Sequence, residues 1–249
     1  MAPPTLQAFT FDVFNTLLYL DSPFLRLQEN FRNSGYPLPL AAVAAALRRE
    51  MRYYARRSPL VATPAGLADL RRNSAQVLLD ALAEQGYPLP LSADSVVPLL
   101  LDSLHFVLFP EVPEVLSALA QRGLRLGVVS NWDISLPEVL ARLQVLERFD
   151  LVLPAALAGC AKPDPALFRE AAARLGLPPQ AILHIGDSYQ QDVVPARRAG
   201  LQARLLRRDG AARREEELQD LTEVLELCRG SGPGFSSGAP SPPGNGGRP

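Results

Sequence analysis

Four short segments carry residue types that could do chemistry together. The first, Phe9-Thr10-Phe11-Asp12-Val13-Phe14-Asn15-Thr16, sets a carboxylate in an apolar run, where burial is costly unless a cation or several donors compensate it. Ser130-Asn131 directly follows the apolar stretch around Gly127-Val128-Val129, and a hydroxyl with free backbone N–H groups there could hold an anionic oxygen. The third, Ala161-Lys162-Pro163-Asp164-Pro165, contains the chain's only lysine, since the other 24 of its 25 basic residues are arginine. A compact ammonium contacts different partners from a planar guanidinium, so one lysine spared in an arginine-rich chain points to a site that needs a point charge. The fourth, Gly186-Asp187-Ser188-Tyr189-Gln190-Gln191-Asp192, offers two carboxylates, whose hard oxygens suit Mg²⁺. Taken singly, most of these have plain explanations: Asp12, Asp187 and Asp192 as turn or helix-start acids, Ser130 and Asn131 as turn formers.

The elements predicted around these segments place all four at strand ends. A strand is predicted over 6–13, and β–α alternation resumes after about Pro110, with helices over 113–123, 136–143, 165–175 and 190–199. Strands alternate with them at 124–129, 151–153, 181–185 and 203–206. Such alternation implies crossovers onto a parallel sheet, whose strand ends form the ligand-binding edge. The predicted fold class is α/β, a Rossmann-like parallel core with an inserted α-helical bundle. The core is drawn from 1–19 plus 110–229 and the bundle from 20–109, which shows no convincing strand and four helix-sized runs at 23–34, 40–57, 64–85 and 92–108. Gly35-Tyr36-Pro37-Leu38-Pro39-Leu40 recurs letter for letter as Gly86-Tyr87-Pro88-Leu89-Pro90-Leu91, in each case between helices, so the two read as the turns of two helical hairpins. A last helix is expected near 213–228, and the Gly/Pro/Ser-rich residues 230–249 are read as a disordered tail.

Bulk properties narrow the function classes. The formal net charge is −1 with both signs interspersed, so no basic face announces nucleic acid. Two cysteines without histidine spacing argue against a disulfide framework or a zinc site. No run approaches the ~18 consecutive apolar residues that span a bilayer. The expectation is a cytoplasmic protein with a small-molecule substrate, no nucleic-acid or membrane partner and an oligomeric state that the sequence leaves open.

In this order and spacing, the four segments resemble the haloacid dehalogenase-like hydrolase superfamily, and the insertion after the first resembles its helical-cap subfamily; the likeness covers residues 6–206. The resemblance implies that Asp12 is the nucleophile, Ser130 binds the transferring group, Lys162 steadies both charges, and Mg²⁺ is held by Asp12, the Phe14 carbonyl, Asp187 and Asp192. Asn131, Thr16 and Trp132 are the expected substrate contacts. One departure matters. Phosphatases of the family carry a second Asp two residues after the nucleophile as general acid/base, a function worth about 10²–10⁴ in rate, and Phe14 stands there instead. Haloacid dehalogenases also carry an aromatic residue there, usually Tyr, but work without Mg²⁺ and lack the acidic fourth segment. The expected activity is therefore a slow Mg²⁺-dependent phosphatase working through an aspartyl-phosphate. A 2-haloacid dehalogenase and a ligand-binding protein with impaired catalysis are the alternatives.

Smaller expectations complete the reading. His184, inside an apolar strand, is a packed core histidine; His105, on the last cap helix, is at the surface or a hinge; Tyr53 and Tyr54 pack the cap; Trp132 and Asp133 could face substrate; and Arg26, Arg48, Arg49, Arg52, Arg56 and Arg57 decorate cap helices.

Overall fold

The computed structural model describes residues 5–208, 210 and 217–227. Its central strand, β1 (Ala8–Phe11), is buried at every position. Phe9 and Phe11 point into one apolar cluster and Ala8 into another, as expected of a strand covered on both faces. Around it lie β4 (Arg125–Ser130), β5 (Leu151–Pro154), β6 (Ile182–Gly186), β7 (Gln202–Leu206) and β8 (Glu217–Leu218) in the order β5-β4-β1-β6-β7-β8. All five pairings are parallel. β1 has β4 on one side and β6 on the other, so strand order reverses beside the Asp12 end of β1, where an open parallel sheet forms its ligand crevice.

α5 (Val112–Gln121) and α6 (Leu136–Arg142) cover the Phe9/Phe11 face, while α8 (Ala166–Leu175) and α9 (Val194–Arg198) cover the other. The short α7 (Ala155–Ala158) follows β5. The predicted strands recur within a residue or two. The predicted helix over 190–199 instead opens with one wide turn, Tyr189–Val193, before α9; wide turns of this kind cluster at functional sites. The helix expected over 213–228 is also corrected. Among the described residues, Glu217 and Leu218 form β8 against β7, and only the short α10 (Val224–Leu227) is α-helical. Leu218 and Val224 bury themselves on the sheet's face, an apolar demand that outweighs the charge-rich, helix-favouring local sequence. The expected tail at 230–249 lies outside the described residues.

Between β1 and α5 stand α1 (Pro23–Asn33), α2 (Leu40–Arg57), α3 (Pro64–Glu84) and α4 (Ala93–Ser103), with a core of their own around Leu27, Phe31, Val43, Leu47, Leu78 and Leu82. The hexapeptide repeat forms the same helix stop twice. Gly35 and Gly86 both adopt φ +88°, and the N–H groups of Tyr36 and Tyr87 donate to the carbonyls of Phe31 and Leu82 at 2.9 and 3.0 Å. Thr63 and Ser92 cap α3 and α4 with their side chains.

The insertion does contain strand, contrary to expectation. β2 (Leu18–Leu20) and β3 (Phe106–Leu108) pair antiparallel across its base. α4 therefore stops at Ser103, leaving His105 outside the helix and 3.6 Å from Asp21. Strands of three residues show almost no alternation in sequence, and this ribbon exists only because the two connecting segments meet. No described helix is long and apolar enough to cross a membrane.

Candidate active site

Asp12 sits one residue beyond β1, where its N–H donates to the Ile185 carbonyl at 2.9 Å. Its side chain is held through one oxygen, Oδ1, which accepts from Ser130 Oγ at 3.0 Å and from Lys162 Nζ at 2.7 Å. No hydrogen bond among the described residues engages Oδ2. Lys162 is 5% exposed, and its ammonium also donates to Asp192 Oδ1 at 2.5 Å. Three carboxyl groups, those of Asp12, Asp187 and Asp192, bring oxygens within 4.8 Å of one another. The structure thus joins Asp12, Ser130, Lys162, Asp187 and Asp192 from four parts of the chain.

Asn131 does something its expected substrate contact did not include. Its amide clamps the backbone of Lys162 in both directions: Nδ2 donates to the Lys162 carbonyl at 2.9 Å, and Oδ1 accepts from the Lys162 N–H at 2.8 Å. The Lys162-Pro163 bond within this clamp is cis. Asp192 is equally well fixed, since Oδ2 accepts from the Ser188 N–H at 3.0 Å and Oδ1 also meets His184 Nε2 at 3.2 Å. The opposite nitrogen of His184 lies 3.0 Å from Thr10 Oγ1, and its ring stands edge-on to Phe168. The packed core histidine is therefore also what aims Asp192. Gly186 makes this approach possible, because a Cβ there would fall 2.2 Å from Asp192 Cγ.

The electrostatics favour a cation. Burial alone would lower the Lys162 pKa, but the two carboxylates outweigh it and hold the group above its usual value. Burial raises Asp192, yet Lys162 and His184 pull it well below the carboxylate range. Asp12 stays well above that range: burial dominates, the share of Lys162 left to it is insufficient, and Asp192 and Asp187 repel it. One ammonium faces three carboxyl groups, and burial holds the His184 pKa below its usual value against the pull of Asp192. The donor set therefore fits a hard divalent ion, with Asp12 and the exposed Asp187 the carboxylates freest to receive it. Asn15 Nδ2 steadies Asp187 at 3.2 Å.

Thr16, an expected substrate contact, is fully buried, with an Oγ1 that meets no partner among the described residues and a carbonyl that accepts from Arg208 at 2.9 Å; it is not part of the Lys162 cluster. Trp132 and Phe14 do face open space. Both line a cavity of about 580 Å³ between the α/β core and the helical insertion, with Asn131 at the same wall. Asp133 is corrected: it is 0% exposed, accepting from Tyr54 Oη on α2 and, at 2.8 Å, from the Ser135 N–H. Tyr54 is thus a tether between insertion and core rather than internal packing. Burial and the Asp133 charge raise its pKa and keep it a donor. No pattern in the sequence pairs Tyr54 with Asp133 79 residues away.

Comparison with known proteins follows the same lines. Residues 6–200 match the family model of haloacid dehalogenase-like hydrolases. The chain is 31% identical over 206 residues to the mouse haloacid dehalogenase-like hydrolase domain-containing protein 3, covering 81% of this chain and 82% of the mouse one. It is 33% identical over 129 residues to a phosphoserine phosphatase of Thermus thermophilus, about half of each chain (51% and 52%). Among solved structures it resembles a 2-haloacid dehalogenase of Pseudomonas syringae pv. Tomato, with TM-score 0.61, 26% identity and coverage of 89% and 97%.

Proposed function

The chain belongs to the haloacid dehalogenase-like hydrolases, and on that premise we propose that it is a slow, Mg²⁺-dependent phosphatase of a small organic phosphate. The observation that carries the reading is the one-sided grip on Asp12: Ser130 and Lys162 bind Oδ1, which leaves Oδ2 as the attacking atom. Asp12 attacks phosphorus in line, the alkoxide leaves, and the aspartyl-phosphate is hydrolysed by water. Lys162 and Ser130, beside the nucleophile, offset charge on the transferring oxygens, and Asn131 keeps Lys162 in place through its backbone.

Asp12, Asp187 and the Phe14 carbonyl would hold Mg²⁺, with Asp192 orienting the site through Lys162. When bound, the ion supplies charge neutralisation that lets Asp12 ionise and an anionic phosphate approach. The Phe14 ring can neither give nor accept a proton, so the leaving group takes its proton from water and turnover is slow, best with activated esters or acyl phosphates. The test is phosphate release from 4-nitrophenyl phosphate with Mg²⁺ and with EDTA. Asp12→Asn is expected to remove at least about 10³-fold of the activity, and Phe14→Asp to raise it toward the ~10²-fold that a positioned acid/base contributes. Activity that survives Asp12→Asn or EDTA would sink the proposal.

Phe14 and the largely apolar cavity beside it also favour a second reading, displacement of halide from a 2-haloacid by Asp12. Halide release undiminished in EDTA would decide for it.

A further inference from the structure

The wall of the cavity formed by the insertion carries buried polar groups that, among the described residues, meet no charged partner. Glu50 on α2 is 4% exposed, and no cation pairs with it among the described residues. Burial pushes its pKa up to about 7, an effect the adjacent Ser74 hydroxyl offsets only in part. Ser74 on α3 is 1% exposed and lies beside Glu50, and its Oγ has no other partner among the described residues. One turn earlier on α3, the Nε of Arg71 is buried and has no partner among the described residues. Glu50 and Arg71 both act electrostatically on Tyr54, so the groups form one cluster across the α2/α3 groove, and Tyr54 pins that groove to Asp133, three residues beyond Ser130.

Buried donors and acceptors without partners cost about 1–3 kcal/mol each, and a carboxylate and a guanidinium that line one cavity without pairing are not there to satisfy one another. Between this cluster and Asn131 at the opposite wall, the cavity is apolar, with Met51, Leu104, Phe106 and Trp132 among its lining. We propose that Glu50, Arg71 and Ser74 bind the non-reacting end of the substrate: an organic phosphate with an apolar or aromatic body and a terminal ammonium–carboxylate pair. The ammonium meets Glu50, the carboxylate meets Arg71 and Ser74, and the body spans the apolar stretch while the phosphate lies at Asp12. The assignment rests on the phosphatase reading for the position of the phosphate, but the far-end contacts do not depend on turnover.

The test uses the full chain with Mg²⁺ and compares O-phospho-L-tyrosine with phenyl phosphate, which ends at the ring. The zwitterionic ester is expected to be preferred at least about tenfold in kcat/KM, through KM, because a site built for polar groups discriminates strongly against their absence. Glu50→Gln, nearly isosteric, and Arg71→Met should each lower that preference ratio about tenfold, whereas Arg49→Gln on the exposed side of α2 should not change it. O-Phosphotyramine, which lacks the carboxylate, should respond to Glu50→Gln but not to Arg71→Met. Melting temperatures of all variants report folding. A preference near one in the unaltered protein, or one that survives both substitutions, overturns the proposal. Failure of the phosphatase reading looks different, since neither ester is then turned over. Calorimetric binding of the same two esters, with and without Glu50→Gln, then decides the far-end assignment by the same ratio.

Discussion

The α/β core and the helical insertion both bury charge, and they treat it in opposite ways. Around Asp12 the buried ionic groups share one network: Lys162 bridges two carboxylates, Asp192 takes donors on both oxygens, and Asn131 and His184 fix those that do the bridging. In the insertion, Glu50 is enclosed with only the Ser74 hydroxyl beside it, and the Arg71 Nε is buried without a partner among the described residues. A satisfied network holds its geometry before ligand arrives, which is what in-line attack requires. An unsatisfied one stores a cost that a matching ligand relieves, which is what selection among substrates requires. On the proposed reading, preorganisation belongs to the core and discrimination to the insertion.

The sharpest break of this contrast is Lys162→Met. It leaves Asp12 and Asp192 buried without their shared cation, and should cost about 3–5 kcal/mol in urea unfolding at pH 7 together with all measurable activity. Added Mg²⁺ should restore part of the stability but not the activity. Next is Gly186→Ala, whose methyl would collide with Asp192. Overpacking there should cost about 3 kcal/mol and turn the Asp192 carboxylate off Lys162; kcat should fall while KM changes little, and equal activity in the alanine variant would show that the approach at Gly186 is not needed.

Glu50 gives a pH signature of the opposite kind. Its folded-state pKa of about 7 exceeds the ordinary 4.5, so the folded chain keeps a proton that the unfolded chain has already released. The corresponding stability is complete below about pH 4.5 and is lost as pH rises through 7. Glu50→Gln should therefore match the unaltered protein near pH 4.5 and exceed it by up to about 3 kcal/mol at pH 8, from the 1.36 kcal/mol attached to each pKa unit. A constant difference across that range would remove Glu50 from the unsatisfied group. The smallest effect is expected for Tyr54→Phe, which deprives buried Asp133 of one donor. It should cost about 1–2 kcal/mol in stability and raise KM for substrates that fill the cavity, with kcat little affected.

How much of this was legible beforehand depended on the range of the interaction involved. Asp12, Ser130, Lys162, Asp187 and Asp192 stood out because each follows an apolar strand in a parallel α/β pattern, and that pattern sends such strand ends to one edge. The isolated lysine added composition as an independent clue. The helix stops at Gly35 and Gly86 were equally readable, since a left-handed stop is a local requirement. The β2/β3 ribbon, β8, the Tyr54–Asp133 tether and the Asn131 clamp were not, because each depends on segments far apart in sequence whose residue types suit ordinary packing or turns just as well.

The sequence by itself therefore determined the order of elements, the parallel sheet, the helical insertion and the residues available for chemistry, because periodicity and strand-end position act over a few residues at a time. Tertiary structure alone decided which oxygen of Asp12 is left free of hydrogen bonds, which residues steady Lys162 and Asp192, and which buried polar groups of the insertion meet no charged partner among the described residues. Those outcomes turn on distances of about 3 Å between side chains many residues apart, and on how fully the packed chain removes each group from water.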